Sequence, residues 1–353
     1  MIKKLCVCTI TAALLTGCGA TNDDEIIGNV SVNDQKTEAL QESQNTDDVG
    51  NTENKKDTRD QSILAEDHDL ELKDAEEINK ETDGVEATQT PEEVDVPDYV
   101  IEEQSSTKSS LFKELDSIPT DADIQAMSSE SNGWGQGVQT DDLNRPGGCL
   151  QFQQKYGEHS VRFIMDDSEE KNIYLTFDEG YENGYTGQIL DTLKEKNVKA
   201  VFFVTMDYVK KEPELVQRMI DEGHVVGNHS VTHPSKGLPS LSIQEQENEI
   251  MELHNYVKEN FGYEMYLFRC PAGIFSEQTL GVFDKCGYTG VFWSFAFYDW
   301  DPENQMAQDV ALEQTVSSLH PGAIYLLHAV SSTNTAILGD FIDQAQSQGY
   351  TFK

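Results

Sequence analysis

The chain has 353 residues, with 64 acidic and 25 basic side chains for a formal charge of −39, and 37 % of its residues are hydrophobic. The charge is uneven: residues 21–130 hold 32 acids and 8 bases with Tyr99 and Phe112 as their only aromatics, while residues 131–353 hold the other 32 acids, 15 bases and every Trp. A stretch so acidic and so poor in aromatics cannot bury enough apolar surface to offset its ordering entropy. No cluster of Lys and Arg offers a face to phosphate, which excludes nucleic acid as a partner.

At the start of the chain, Lys3 and Lys4 precede an apolar run over 5–15, too short to span a bilayer as a stable helix. The run ends in Leu15-Thr16-Gly17-Cys18, which resembles the lipobox of bacterial lipoproteins. That resemblance implies a signal peptide over 1–17, cleavage before Cys18 and a diacylglycerol on its sulfur. Several acyl chains on one Cys anchor stably where one does not, so the mature protein is expected outside the cytoplasm, lipid-anchored to the outer face of the cell membrane. Residues 18–130 then read as a disordered acidic linker; about 110 flexible residues have an r.m.s. span of roughly 55–60 Å. Within it, the weak amphipathic pattern of 108–123 suits a short helix. Outside the signal lie Cys149, Cys270 and Cys286, an odd number that allows at most one internal disulfide. A Cys270–Cys286 bridge and free buried thiols both fit.

The folded domain is expected over 131–353, with a regular pattern from residue 171. Strands are read at 173–177, 199–204, 224–228, 265–269, 290–294, 323–327 and 350–352. Helices are read between them, through Ile189, Leu190 and Leu193, then near 214–221, 243–259, 276–285, 306–319 and 335–348. Strands alternating with helices at this spacing argue for a parallel sheet with helices outside. Seven such units favour an α/β fold of the closed or nearly closed (β/α) barrel type.

Polar chemistry gathers at the strand ends. Asp178 and Glu179 directly follow the first strand, Asn228 and His229 end the third, Arg269 the fourth and His328 the sixth, with Asp299 and Trp300 shortly after the fifth. In a parallel barrel all these ends face one rim, where such folds build active sites. His229 and His233 stand four apart; on one helical turn they would share a face and could bind one metal, although Pro234 biases His233 away from the helical region and toward a tight loop. Adding a rim carboxylate makes two His plus one acid, leaving positions open for water and substrate. Adjacent Asp178 and Glu179 suit a division between base and metal ligand. His328 suits a general acid, and Asp299 is placed to pair with Arg269 or His328. From residue types alone the reading is a divalent-metal hydrolase that activates water. The remaining histidines, among them His224, His254 and His320, read as structural.

In order, Thr176-Phe177-Asp178-Glu179-Gly180, His229-Ser230-Val231-Thr232-His233, Arg269-Cys270-Pro271-Ala272-Gly273, Asp299-Trp300 and Leu326-Leu327-His328 resemble the five motifs of the NodB-type polysaccharide deacetylases, carbohydrate esterase family four. The resemblance implies a distorted (β/α) barrel. The flanks, such as Gly180-Tyr181-Glu182-Asn183-Gly184-Tyr185-Thr186, look like the branch that forms muramic δ-lactam by removing acetyl from N-acetylmuramic acid in spore cortex peptidoglycan. Position by position it implies Asp178 as catalytic base and Glu179, His229 and His233 as metal ligands. Arg269 would hold the base, and the Ala272 N–H would face the oxyanion. Asp299 would tune His328 as the acid, with Trp300 and Leu326 lining the acetyl pocket. The implied cofactor is Zn²⁺, with Mn²⁺ or Co²⁺ as substitutes; the implied partners are peptidoglycan glycan strands and, through the anchor, the membrane, with the protein a monomer. Three departures stand out: Glu179 where Asp or Asn is usual, Cys270 where Pro is common, and Ala272 where Tyr or Arg is frequent. The same machinery would serve peptidoglycan N-acetylglucosamine or another acetylated polysaccharide, and a glycan-binding protein without turnover would keep the same fold.

Overall fold

Why the polar groups share one rim follows from how the strands form and pair. A computed structural model describes residues 108–165 and 170–353. In chain order these form α1 (Asp121–Ala126), β1 (Asn132–Gly133), α2 (Gly147–Tyr156), β2 (Val161–Arg162), β3 (Asn172–Glu179), α3 (Thr186–Glu195), β4 (Val201–Val204), α4 (Met206–Lys211), α5 (Pro213–Asp221) and β5 (Val225–Asn228). They continue as α6 (Ile243–Phe261), β6 (Leu267–Phe268), β7 (Ile274–Phe275), α7 (Glu277–Cys286), β8 (Thr289–Val291), α8 (Gln308–Ser317), β9 (Ala323–His328), α9 (Ser332–Ser347) and β10 (Thr351–Phe352). Eight strands pair in parallel in the order β9-β3-β4-β5-β6-β8-β2, with β10 beside the start of β3. Short links near the open seam draw the sheet toward closure: Phe295 bridges to Tyr325, and Met165 N–H donates to the Gly322 carbonyl. The result is the curled, distorted (β/α) barrel expected, with the small antiparallel pair β1–β7 beside it.

Side chains alternate across a strand, so each strand feeds two layers. Facing inward, Tyr174, Val201, Phe203, Leu267, Val291 and Ile324 form one apolar cluster. Facing outward, Ile173, Leu175, Phe177, Phe202, Val204, Val226 and Phe268 pack with helix residues such as Ile189, Leu193, Val216 and Leu253. At Gly227 the inner layer leaves no room for a Cβ, which would enter the Phe203 ring. At Gly322, φ is 72° and a Cβ would strike the Met165 carbonyl, so glycine is required on both counts.

The expected linker boundary at 130 is corrected. Leu111 is wholly buried in the inner cluster, beside Tyr174 and Ile324, and so plugs the barrel at the end remote from the rim. Ser109 N–H donates to Tyr266 Oη, Lys113 N–H to Thr289 Oγ1 and Arg162 Nε to the Leu111 carbonyl. The Thr120 capping box starts α1, which buries Ile124. The domain thus includes residues 108–130, whose acidic composition hid two apolar anchors in a solvated stretch. The rest of the expected signal and linker, including Cys18, lies outside the described residues. Cys149, Cys270 and Cys286 are free thiols, the first two buried.

Candidate active site

The pairing register brings the expected acid and base face to face. Asp178 on β3 and His328 on β9 are direct partners, two residues beyond the Thr176–Leu326 pair on the same face. The inner-face parity that runs Tyr174, Thr176, Asp178 on β3 carries on across the sheet to His229 and Arg269, one residue past β5 and β6. The alternation therefore points Asp178, His229, Arg269 and His328 into one space at the carboxyl ends of the strands.

Arg269 is the hub. Its guanidinium is wholly buried and donates from Nη1 to Asp178 Oδ1 at 2.8 Å, from Nε to the Val291 carbonyl and from Nη2 to the Phe292 carbonyl. It also lies 4.2 Å from the centre of the Phe203 ring, an arrangement favourable for a cation over an aromatic face. Burial disfavours the charge on Asp178, but Arg269, His229 and His328 outweigh it and hold the carboxyl below its ordinary value. Asp178 Oδ2, 3.5 Å from His229 Nε2, remains to take a proton.

His328 is bonded through Nδ1 at 2.7 Å to Asp299 Oδ1, which leaves Nε2 to serve the site. Asp299 Oδ2 also accepts the His328 backbone N–H at 2.8 Å. Burial works against a charged ring here, yet Asp299, aided by Asp178, lifts His328 above its ordinary value. Of the two partners the sequence left open for Asp299, His328 is the one it takes. Leu326 is buried two residues before His328 on the same face, and Trp300 stands with its ring 5.9 Å from the imidazole while 47 % exposed. Ala272 is exposed in the left-handed region, φ 53°.

His229 and His233 occupy a tight loop in place of a helical turn. Ser230 and His233 have φ of 73° and 49°, in keeping with the restriction Pro234 imposes. Glu249 on α6, which sequence reasoning missed, ties this loop down by accepting Thr232 N–H at 2.8 Å and Thr232 Oγ1–H at 2.7 Å. The rings of His229 and His233 stand 4.8 Å apart. His229 is buried, which pushes its pKa down to about 4; since its Nδ1 contacts the Arg269 carbonyl at 2.9 Å, a pure acceptor, the proton belongs on Nδ1 and the Nε2 lone pair is free.

Glu179 departs from its expected role. By strand parity it belongs to the outer layer, opposite to Asp178. There it is wholly buried, with Oε2 accepting from Thr186 Oγ1 on α3 at 3.4 Å and Oε1 without a partner. Glu182 bonds the same Thr186 hydroxyl and the Tyr208 hydroxyl. Burial, then Glu182 and Asp178, push the Glu179 carboxyl well above its ordinary value. Among the described residues no three His, Cys, Asp or Glu side chains converge to hold a metal ion. The implied donor set does not fit: the two imidazoles are neighbours, but Glu179 does not join them. Among the described residues, His224, His254 and His320 are structural as expected: His224 Nδ1 accepts Ala200 N–H, His254 is bonded to Tyr288 and His320 to Ser294.

What the assembled residues carry is a depressed carboxylate, an elevated imidazole opposite it and a charged clamp on each. Residues 165–291 match the model of the polysaccharide deacetylase family. The peptidoglycan-N-acetylmuramic acid deacetylase PdaA of Bacillus subtilis is 45 % identical over 192 residues, 54 % of this chain and 72 % of that protein. An uncharacterised 30.6 kDa protein of Geobacillus stearothermophilus is 47 % identical over 200 residues, 56 % of this chain and 73 % of that one. The solved structure of Bacillus subtilis PdaA, a family 4 carbohydrate esterase, superposes with a TM-score of 0.60 at 40 % identity, covering 64 % of this chain and 95 % of that one. With its strand-end chemistry and these relatives, the chain belongs to the polysaccharide deacetylases of carbohydrate esterase family 4, hydrolases of the acetamide bond.

Proposed function

We propose that this protein removes the acetyl group from N-acetylmuramic acid residues of peptidoglycan. The observation that carries the reading is the opposition of Asp178 and His328 across the β3–β9 pair, each held by its own charged partner. Water placed between them loses a proton to Asp178 as its oxygen bonds the acetamide carbon. His328, whose charged form Asp299 favours, gives its Nε2 proton to the amide nitrogen as the C–N bond breaks. Acetic acid and a free amine leave, the acid giving up its proton to become acetate; Asp178 returns its proton to solvent and His328 takes one back, which restores the site. No step of this sequence uses Glu179. Leu326 and Trp300 offer the apolar surface beside His328 that an acetyl methyl needs.

The muramic substrate is supported by the relative named as an N-acetylmuramic acid deacetylase and by the sequence flanking the motifs. On a muramic residue whose lactyl carboxyl is free, the exposed amine can close on that carboxyl with loss of water, which gives the δ-lactam of spore cortex. The lipobox-like Cys18 supports action outside the cytoplasm from a membrane tether. Incubating the full chain with purified peptidoglycan and measuring acetate tests the chemistry. Release by the native protein, abolished in both Asp178→Asn and His328→Ala, is expected; equal release by either variant would sink the acid–base assignment.

A further inference from the structure

Asp299 holds His328, and a residue outside every motif holds Asp299. Asn334 lies in the first turn of α9, 1 % exposed. Its Nδ2 donates to Asp299 Oδ2 at 2.5 Å and to the His328 carbonyl at 3.2 Å. Its own backbone N–H is fixed by the Ser331 hydroxyl that caps the helix, at 3.0 Å. Both oxygens of the Asp299 carboxylate are thereby engaged: Oδ2 takes Asn334 and the His328 backbone, and Oδ1 takes the imidazole.

The other end of the amide shows what dictates this orientation. Asn334 Oδ1 is buried without a hydrogen-bond partner. Leaving a buried acceptor unmade costs about 1–3 kcal/mol, a cost that an apolar side chain of the same size would avoid. Turning the amide over would set that oxygen against the Asp299 carboxylate and remove the donor. The side chain therefore keeps its donor on Asp299 at the expense of its own oxygen, and such compromises concentrate at functional sites.

We infer that Asn334 is a positioning residue of the deacetylation site, acting through Asp299. It locks the carboxylate so that Oδ1 points along the His328 Nδ1–H bond, and this fixes the tautomer that presents Nε2 to the leaving nitrogen. By tying the His328 carbonyl to the same amide it also joins the end of β9 to the start of α9. The inference rests on the proposed acid role of His328.

The test is a double-mutant cycle in the full chain, read by acetate release from peptidoglycan and by the proton resonance of the imidazole Nδ1–H. Asn334→Ala and Asn334→Asp are each expected to lower kcat roughly tenfold or more, the usual effect of losing an outer-shell partner. KM should stay within about twofold, and Asn334→Ala should change nothing further in an Asp299→Ala background. The downfield Nδ1 proton of His328 should be visible in the native protein and lost in Asn334→Ala. Asn334→Ser keeps a donor and should recover part of the loss; it also serves if Asn334→Ala fails to fold. Native kcat in both the Ala and Asp variants, or effects that simply add to those of Asp299→Ala, would overturn the proposal. If the native protein released no acetate while the His328 resonance still depended on Asn334, the positioning role would stand and the deacetylase reading would fall.

Discussion

Replacing Arg269 by Met should move the acid limb of the pH–rate profile upward. In the native protein Asp178 is buried, and its ionised form depends on a guanidinium at 2.8 Å. Met matches much of the volume and leaves the Phe203 face covered, but it strips the carboxylate of its main counter-charge. Removing one partner of a buried ion pair typically costs about 3–5 kcal/mol. One pKa unit corresponds to about 1.4 kcal/mol, so that loss would raise the Asp178 pKa by at most about two to three and a half units. Protonation relieves the penalty before the upper figure is reached, and His328 still favours the charge. Because the base must be ionised, activity is lost as pH falls through its pKa, and raising that pKa carries the loss to higher pH. The Val291 and Phe292 carbonyls also lose their donors, so stability should drop too. Arg269→Lys keeps the charge without the three-way geometry and should fall between. The assay is kcat/KM for acetate release against pH, with chemical denaturation alongside. An acid limb that stays in place in a folded Arg269→Met protein would refute the view that Arg269 sets the state of Asp178.

Three further outcomes follow from the geometry. Asp299→Asn should lower the His328 pKa and bring the alkaline limb of kcat/KM down in pH, since the acid works only while protonated; an unmoved limb in an active variant would speak against the pair. Leu111→Ala should destabilise the domain by about 3 kcal/mol as a fully buried Leu, and a chain begun at residue 131 should be less stable still; equal denaturation midpoints for chains begun at 105 and 131 would show that the plug contributes nothing. If Glu179 stays in the outer layer, Glu179→Gln should change the affinity for added Zn²⁺ or Mn²⁺ by less than about twofold, whereas loss of a true ligand or its support costs tenfold or more; a tenfold loss on calorimetry would return Glu179 to the ligand set.

The strands and the rim were legible because both rest on short-range pattern. An apolar run such as Lys199-Ala200-Val201-Phe202-Phe203-Val204 bounded by polar residues reads as a buried strand, and a polar residue at its end reads as rim chemistry. Asp178, Arg269 and His328 are legible in that way, with Asp299 a few residues past the fifth strand, and the structure brings them together. Glu179 was misplaced because two adjacent carboxylates suggest a shared task, while strand alternation sends neighbours to opposite layers; the parity was present in the sequence and the chemistry overrode it. Residues 108–130 read as linker because a charge average hides Leu111 and Ile124. The short β2 and α2 went unread, since two strand residues and a helix burying only Cys149 and Tyr156 make little pattern. Asn334 and Glu249 act through the fold: nothing local marks an Asn in a helix's first turn, or a Glu on a long amphipathic helix, as the support of a loop that arrives from elsewhere.

The most direct test of the central claim is mass spectrometry of muropeptides after incubation of peptidoglycan with the native protein and with Asp178→Asn. The account predicts loss of acetyl from muramic residues in the native reaction and none in the variant. Acetyl loss confined to glucosamine would contradict the substrate, and muramic acetyl loss undiminished in Asp178→Asn would contradict the mechanism.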